Sequence, residues 1–122
     1  MIVWKKIFTY LKRNNIEVYP PQTKVGEATK PYVVLKHGLS LKVGDYSSSQ
    51  TIYDVLVYTP KNQYSKAYDN VEQVKTLLKG LRPMLIPTYS ETEPYFDETV
   101  QAWLVSLQYK NYRKLPNKAE RN

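Results

Sequence analysis

Few side chains in this sequence are of a type, and at a spacing, to do chemistry. The single histidine, His37, follows the β-branched run Tyr32-Val33-Val34-Leu35-Lys36. A catalytic imidazole needs a nucleophile or an orienting acid beside it, and no serine or cysteine stands at a spacing that would supply one. Asp54 is the other unusual group, a carboxylate midway along Thr51-Ile52-Tyr53-Asp54-Val55-Leu56-Val57-Tyr58-Thr59. It reads as one half of an ion pair, with a neighbouring lysine or with another subunit, in preference to a shifted acid. Glu91, Glu93, Asp97 and Glu98 form an acidic cluster that a hard cation could use. The cluster lacks the regular spacing and the glycine of a calcium loop, so a solvated acidic loop is expected. Gly26, Gly38, Gly44 and Gly80 stand apart, so there is no glycine-rich phosphate loop. The absence of cysteine excludes a thiol nucleophile, a disulfide scaffold and a cysteine zinc site, and one histidine makes a histidine metal site within one chain unexpected. The expectation is a protein that is not an enzyme, with no catalytic residue, no cofactor and no metal.

What the composition does favour is contact. The chain has 122 residues, 18 lysines and arginines against 11 acids, a formal charge of +7 and 12 tyrosines. The basic groups are uneven: Lys5, Lys6, Lys12 and Arg13 crowd the start, and Lys110, Arg113, Lys114, Lys118 and Arg121 crowd the end. Such a balance suits an acidic protein surface, nucleic acid or simply a solvated lysine-rich exterior. Tyrosines suit half-buried strands and protein interfaces, and interleaved with lysine they can stack on bases. A basic face and an acidic loop in one chain would also let copies stack on each other. No apolar run approaches the ~20 residues of a membrane-crossing helix. The start shows no signal-peptide pattern, so the cytoplasm is the default compartment.

The elements that must position these groups follow from periodicity. Residues 2–14 form an amphipathic helix with Trp4, Ile7, Phe8 and Leu11 on one side, and Asn14-Asn15 is its expected stop. Ile16 to Tyr19 is a short extended piece, and 22–30 is turn-like. Tyr32 to His37 reads as a strand. Residues 38–50 read as a long hairpin connection into which the strands extend, or whose tip is mobile. Residues 51–59 form a strand with Tyr53, Val55 and Val57 on one face and Ile52, Asp54, Leu56 and Tyr58 on the other. Two largely apolar faces make it central, with helices over one side. Tyr64 to Leu81 reads as the second helix, striped by Ala67, Tyr68, Val71, Val74, Leu77, Leu78 and Leu81, with Asn62 or Ser65 as its cap and Gly80 near its end. Met84 to Ile86 reads as a short strand, 87–98 as a loop and 99–112 as the last strand. The sum is one α+β domain over 1–112, a mixed, mostly antiparallel sheet with two amphipathic helices on one face. Residues 113–122 are a basic, flexible tail. The uncovered sheet face is expected to bury itself against another chain.

This layout resembles one family. A basic first helix, the strand Tyr32-Val33-Val34-Leu35, a long hairpin, the segment Tyr53-Asp54-Val55-Leu56-Val57-Tyr58-Thr59-Pro60, a helix ending Val74-Lys75-Thr76-Leu77-Leu78 and a late strand from Trp103 to Arg113 are similar to the tail terminator, or tail-to-head joining, proteins of long-tailed bacteriophages and prophages. The resemblance covers nearly the whole chain and is carried mostly by residues 51–81. It implies a structural virion protein at the head-proximal end of the tail, assembled in the host cytoplasm. It implies a homohexameric ring that stops polymerisation of the tail tube protein and meets the head–tail connector protein, with DNA passing through the lumen without sequence-specific binding and with no membrane involved. Three surfaces are expected on that reading. The subunit interface would be the Tyr53/Val55/Val57 face or the Ile52/Leu56/Tyr58 face. Lys42, Asp45, Tyr46 and Ser48 would form an assembly loop. Lys110, Arg113 and Lys114 would meet an acidic partner or the DNA backbone. The rival readings are another head–tail connector component, such as a head-completion or stopper protein, a small basic nucleic-acid-binding module, and, last, an enzyme built on His37 and Asp54.

Overall fold

The computed structural model describes residues 2–43 and 48–114, with side chains described for 3–38 and 50–111. It is an α+β fold: a mixed, mostly antiparallel six-stranded sheet with two helices. Helix α1 (Ile2–Arg13) leads to strand β1 (Val18–Tyr19), then to the hairpin strands β2 (Tyr32–Val43) and β3 (Ser48–Pro60). A 3₁₀ segment (Lys61–Lys66) runs into helix α2 (Ala67–Lys79), and β4 (Ile86–Glu91), β5 (Tyr95–Asp97) and β6 (Ala102–Lys114) complete the sheet. The order across the sheet is β1-β2-β3-β6-β4, with β5 also on β6. Only β1 with β2 is parallel. Strand β3 is central, as its two apolar faces require.

Alternation along β2, β3 and β6 sends Val33, Leu35, Tyr53, Val55, Val57, Val105, Leu107 and Tyr109 to one face. Ile7 and Leu11 of α1 and Val71, Val74 and Leu78 of α2 close over them. Each buried Val or Leu contributes roughly 1.5–3 kcal/mol over an exposed one, so this layer is the main source of stability. Trp4 fixes α1 to the sheet, its indole N–H donating to the Leu35 carbonyl at 3.0 Å while its ring stacks on Phe8. The helix stops where the asparagines stand. Asn15 takes a left-handed φ of 64°, and the Ile16 N–H closes back on the Leu11 carbonyl.

Five sequence expectations are corrected. The second helix is regular only from Ala67, because 61–66 contains no buried residue to hold an α-turn and Gln63 is non-helical. Neither Asn62 nor Ser65 caps it; no side chain does. Met84 and Leu85 lie in a turn, not a strand, with Leu85 fully buried. Residues 87–98, read as a loop, carry most of β4 and all of β5. β4 was invisible because it holds Pro87, which an edge strand tolerates, and because a register shift between Pro87 and Glu91 breaks its alternation. The last strand begins at Ala102, after a turn in which Gln101 has φ 52°, and runs through Arg113 to Lys114. Residues 115–122, the remainder of the expected tail, lie outside the described residues.

Gly80 ends α2 for a reason other than backbone freedom, since its φ of −67° is right-handed. The Tyr10 hydroxyl, donating to the Leu77 carbonyl, occupies the space a methyl group would need. Gly80→Ala is therefore expected to cost about 1–3 kcal/mol through overpacking. In a Tyr10→Phe background the same substitution should cost less, so a double-mutant cycle by urea denaturation should show coupling above about 0.5 kcal/mol. Additive costs would refute the close approach.

Candidate assembly surfaces

The two groups nominated for catalysis do not meet. His37 pairs in register with Tyr53 and packs edge-on against its ring, 5.3 Å between centroids, on the helix-covered side. Asp54 pairs with Lys36 on one side and Gln108 on the other, so it belongs to the opposite face. Among the described residues Asp54 closes no ion pair, although Lys36 stands across from it. The acidic cluster is also dispersed. Glu91 pairs with Lys75 at 2.5 Å, and Asp97 accepts from the Thr99 N–H and hydroxyl. Among the described residues no three potential ligands gather round a point.

The interface candidates are sorted by strand alternation. Tyr53, Val55 and Val57 are 1%, 0% and 2% exposed beneath the helices, so they are monomer core and offer nothing to a partner. That half of the expected interface is withdrawn. Ile52, Leu56 and Tyr58 lie on the face without helices and are half-buried. At one end, this face is closed by the chain itself. Segment 20–31 crosses it, with the Ala28 N–H donating to the Val100 carbonyl at 2.8 Å. Beneath lies a tyrosine cluster: Tyr32 stacks on Tyr58 at 4.7 Å, Tyr19 meets Tyr32 edge-on, and the Lys24 ammonium lies over the Tyr32 ring. Burial pushes the Tyr32 hydroxyl up to about 12, helped by Tyr58, Asp97 and Tyr19. Burial also raises Tyr58, with Asp97 and Tyr95 adding.

Beyond the tyrosines the face is open. Val34, Leu56 and Ser106 form one row across β2, β3 and β6; Lys36, Asp54 and Gln108 form the next. Ile52 and Lys110 pair further along, with Ile86 of β4 on the far side of Lys110. Among these, only Val34 and Lys36 are not half-exposed: Val34 is buried and Lys36 is exposed. Two surfaces nominated separately prove to be neighbours. Lys42 pairs with Ser49, which pairs with Arg113, and Ser48 pairs with Lys114. The ends of the hairpin and of β6 thus form one end of the sheet. Asp45 and Tyr46 lie outside the described residues.

Sequence reasoning missed one feature altogether. Between the C-terminal half of α2 and β4 lies a cleft of about 180 Å³, with Leu78, Leu107 and Tyr109 as apolar walls and Lys75, Lys79 and Arg82 at its rim. The Lys75 ammonium is raised above its ordinary value, first by its hydrogen bond to Glu91. Burial raises Tyr109, while the Lys75 and Arg82 cations oppose that rise. With 87–98 read as a loop, nothing in the sequence could indicate a second wall.

Compared with known proteins, the chain matches no family model and no curated protein.

The tyrosine cluster gives stability a defined alkaline limit. The raised folded-state pKa of Tyr32 means that the unfolded chain loses this proton first. Its contribution is whole below about pH 10, the ordinary tyrosine value, and is lost as pH rises towards about 12. Tyr32→Phe should flatten the fall in urea midpoint over that interval and remove one late tyrosinate step in an absorbance titration. An unchanged alkaline profile would show that Tyr32 ionises freely.

Proposed function

We propose that this chain is a structural subunit of the tail terminator type, forming a ring at the head-proximal end of a phage tail tube. The observation that carries the reading is a sheet sealed by helices on one face only. The other face carries a half-exposed band of Ile52, Leu56 and Tyr58 beside the buried Val34, interrupted by Asp54, which closes no ion pair among the described residues. An ion-paired partner for Asp54 and dry partners for Ile52 and Leu56 are what a neighbouring subunit would supply. Unlike surfaces meeting head to tail generate rings when the rotation closes. The strand-end cluster Lys110, Arg113 and Lys114 adds positive charge at one end of each subunit. Loose attraction for phosphate there suits DNA that must slide past without being read. The resemblance of the layout to tail terminators motivates the particular assembly: the tube protein below, the connector above, the subunit's own copies at its sides. On this reading the chain works by shape and contact and needs no cofactor.

Deletion of the gene from its parent phage, followed by electron microscopy of the lysate, tests the reading. Filled heads beside separate tails of uncontrolled length are expected. Leaking or empty heads beside tails of normal length would move the protein to the head side of the joint. Normal infectious particles would overturn the reading. Ile52→Glu, on the open face, should leave the stability of the subunit within about 1 kcal/mol of the parent and fail to complement the deletion.

A further inference from the structure

The cleft between α2 and β4 has a shape and charge that the fold does not use. Its volume, about 180 Å³, is comparable to cavities on the order of 150 Å³ that accept a benzene ring. Its walls are Leu78, Leu107 and Tyr109. Tyr89 stands at its edge, 82% exposed, on a left-handed backbone with φ 64°. Of the rim cations, Lys75 is already shared between Glu72 and Glu91. Among the described residues Lys79 and Arg82 have no ion pair.

The complement of such a site is an aromatic side chain flanked by carboxylates, and the chain itself presents one. Residues 93–98, Glu-Pro-Tyr-Phe-Asp-Glu, carry three acids, and Tyr95 among them is 49% exposed. Glu93 and Glu98 have no ion pair among the described residues. Tyr95 pairs with Leu104, which places it on the open face of the sheet, whereas the cleft opens on the helix side. A chain therefore cannot fill its own cleft with this tyrosine, but a second copy can. The basic groove beside α1, lined by Lys5, Lys6, Arg13, Tyr10 and Leu81, is a poorer receptor, since at about 480 Å³ it is too wide to close round one ring.

We propose that the α2–β4 cleft receives residues 93–98 of a second copy of this chain. The Tyr95 ring enters between Leu78, Leu107 and Tyr109, and the flanking carboxylates meet Lys79 and Arg82. The contact joins the helix side of one subunit to the open side of the next, so it is heterologous and repeats in one direction. It rests on the ring reading for its role, and names one contact between neighbours.

A capped peptide of residues 93–98, titrated into isotope-labelled full-length protein and followed by NMR, tests it. Saturable shifts confined to 75–82 and 107–109 are expected, weakening as salt is added. A Tyr95→Ala peptide should lose binding. Lys79→Glu/Arg82→Glu protein should bind the parent peptide about tenfold more weakly or worse. No shifts at millimolar peptide, or shifts on α1 instead, would overturn the proposal. Sedimentation separates its failure from that of the ring reading. Rings that persist in Lys79→Glu/Arg82→Glu protein would refute the cleft contact and leave the ring standing. Peptide seated in the cleft of a protein that forms no ring, alone or on tail tubes, would uphold the contact and refute the ring.

Discussion

The structure hangs on the pairing of β3 with β6. These strands are hydrogen-bonded neighbours from Ser48 opposite Lys114 to Pro60 opposite Ala102, without a register break. Register in such a pair is fixed by which side chains must be dry. In the observed register Tyr53, Val55 and Val57 lie beside Tyr109, Leu107 and Val105 under the helices. A slip of one residue would put Asp54 into that layer and lift Tyr53 out of it. Burying an unpaired carboxylate costs far more than any compensating contact there could return, so the alternative register is closed. Helix placement, the position of the edge strands and the identity of the open face all follow from this one choice.

Asymmetry between the two faces is the main consequence. Among the described residues, the buried part of the helix-covered face is apolar apart from the tyrosine hydroxyls and Thr59, whose oxygen accepts from the Asn70 side chain at 2.9 Å. The other face is closed at one end by segment 20–31 and mixed in character beyond it. Its rows alternate apolar and charged: Val34, Leu56 and Ser106, then Lys36, Asp54 and Gln108. A solvated face would carry more charge and a monomer core would carry none. The face is neither a dry core nor evenly charged: apolar and polar rows alternate along it.

The acidic and basic groups are distributed by the same sheet order. α1 with its cations packs on the β1–β2 side, while the acids of 91–98 lie along β4 and β5 beyond β6. In sequence these are only two charge-biased stretches. In the fold they are separated by the breadth of the sheet, and the second lies next to a cleft rimmed by Lys79 and Arg82. Lys75, tied to Glu91, joins α2 to β4 and holds the two walls of that cleft together.

Much of this was legible in the sequence, where a side chain's fate depends on its neighbours along the chain. Periodicity alone marked α1, the central strand, the apolar stripe of α2 and the α+β class, because burial on one side leaves a repeat of 3.6 or 2. It also showed that both faces of residues 51–59 are apolar, but could not say which of them the helices cover. Alternation is symmetric between the faces, and only the packing of Ile7, Leu11, Val71, Val74 and Leu78 breaks that symmetry. Other features depend on contacts distant in the chain and left no local mark. β4 exists because Ile86 and Pro87 find Lys110 and Tyr109; its own residues have no strand pattern. Gly80 is a glycine because of Tyr10, 70 residues away in the chain. His37 and Asp54, the candidate groups of the last-ranked enzyme reading, are put on opposite sides of the sheet by the pleat. The sequence by itself determined the main helices and long strands, their amphipathic faces and the absence of cysteine chemistry, since these follow from composition and short-range spacing. The tertiary structure decided which face is free, which charges are neighbours and where a cleft opens, since each of these requires two segments that only the fold brings together.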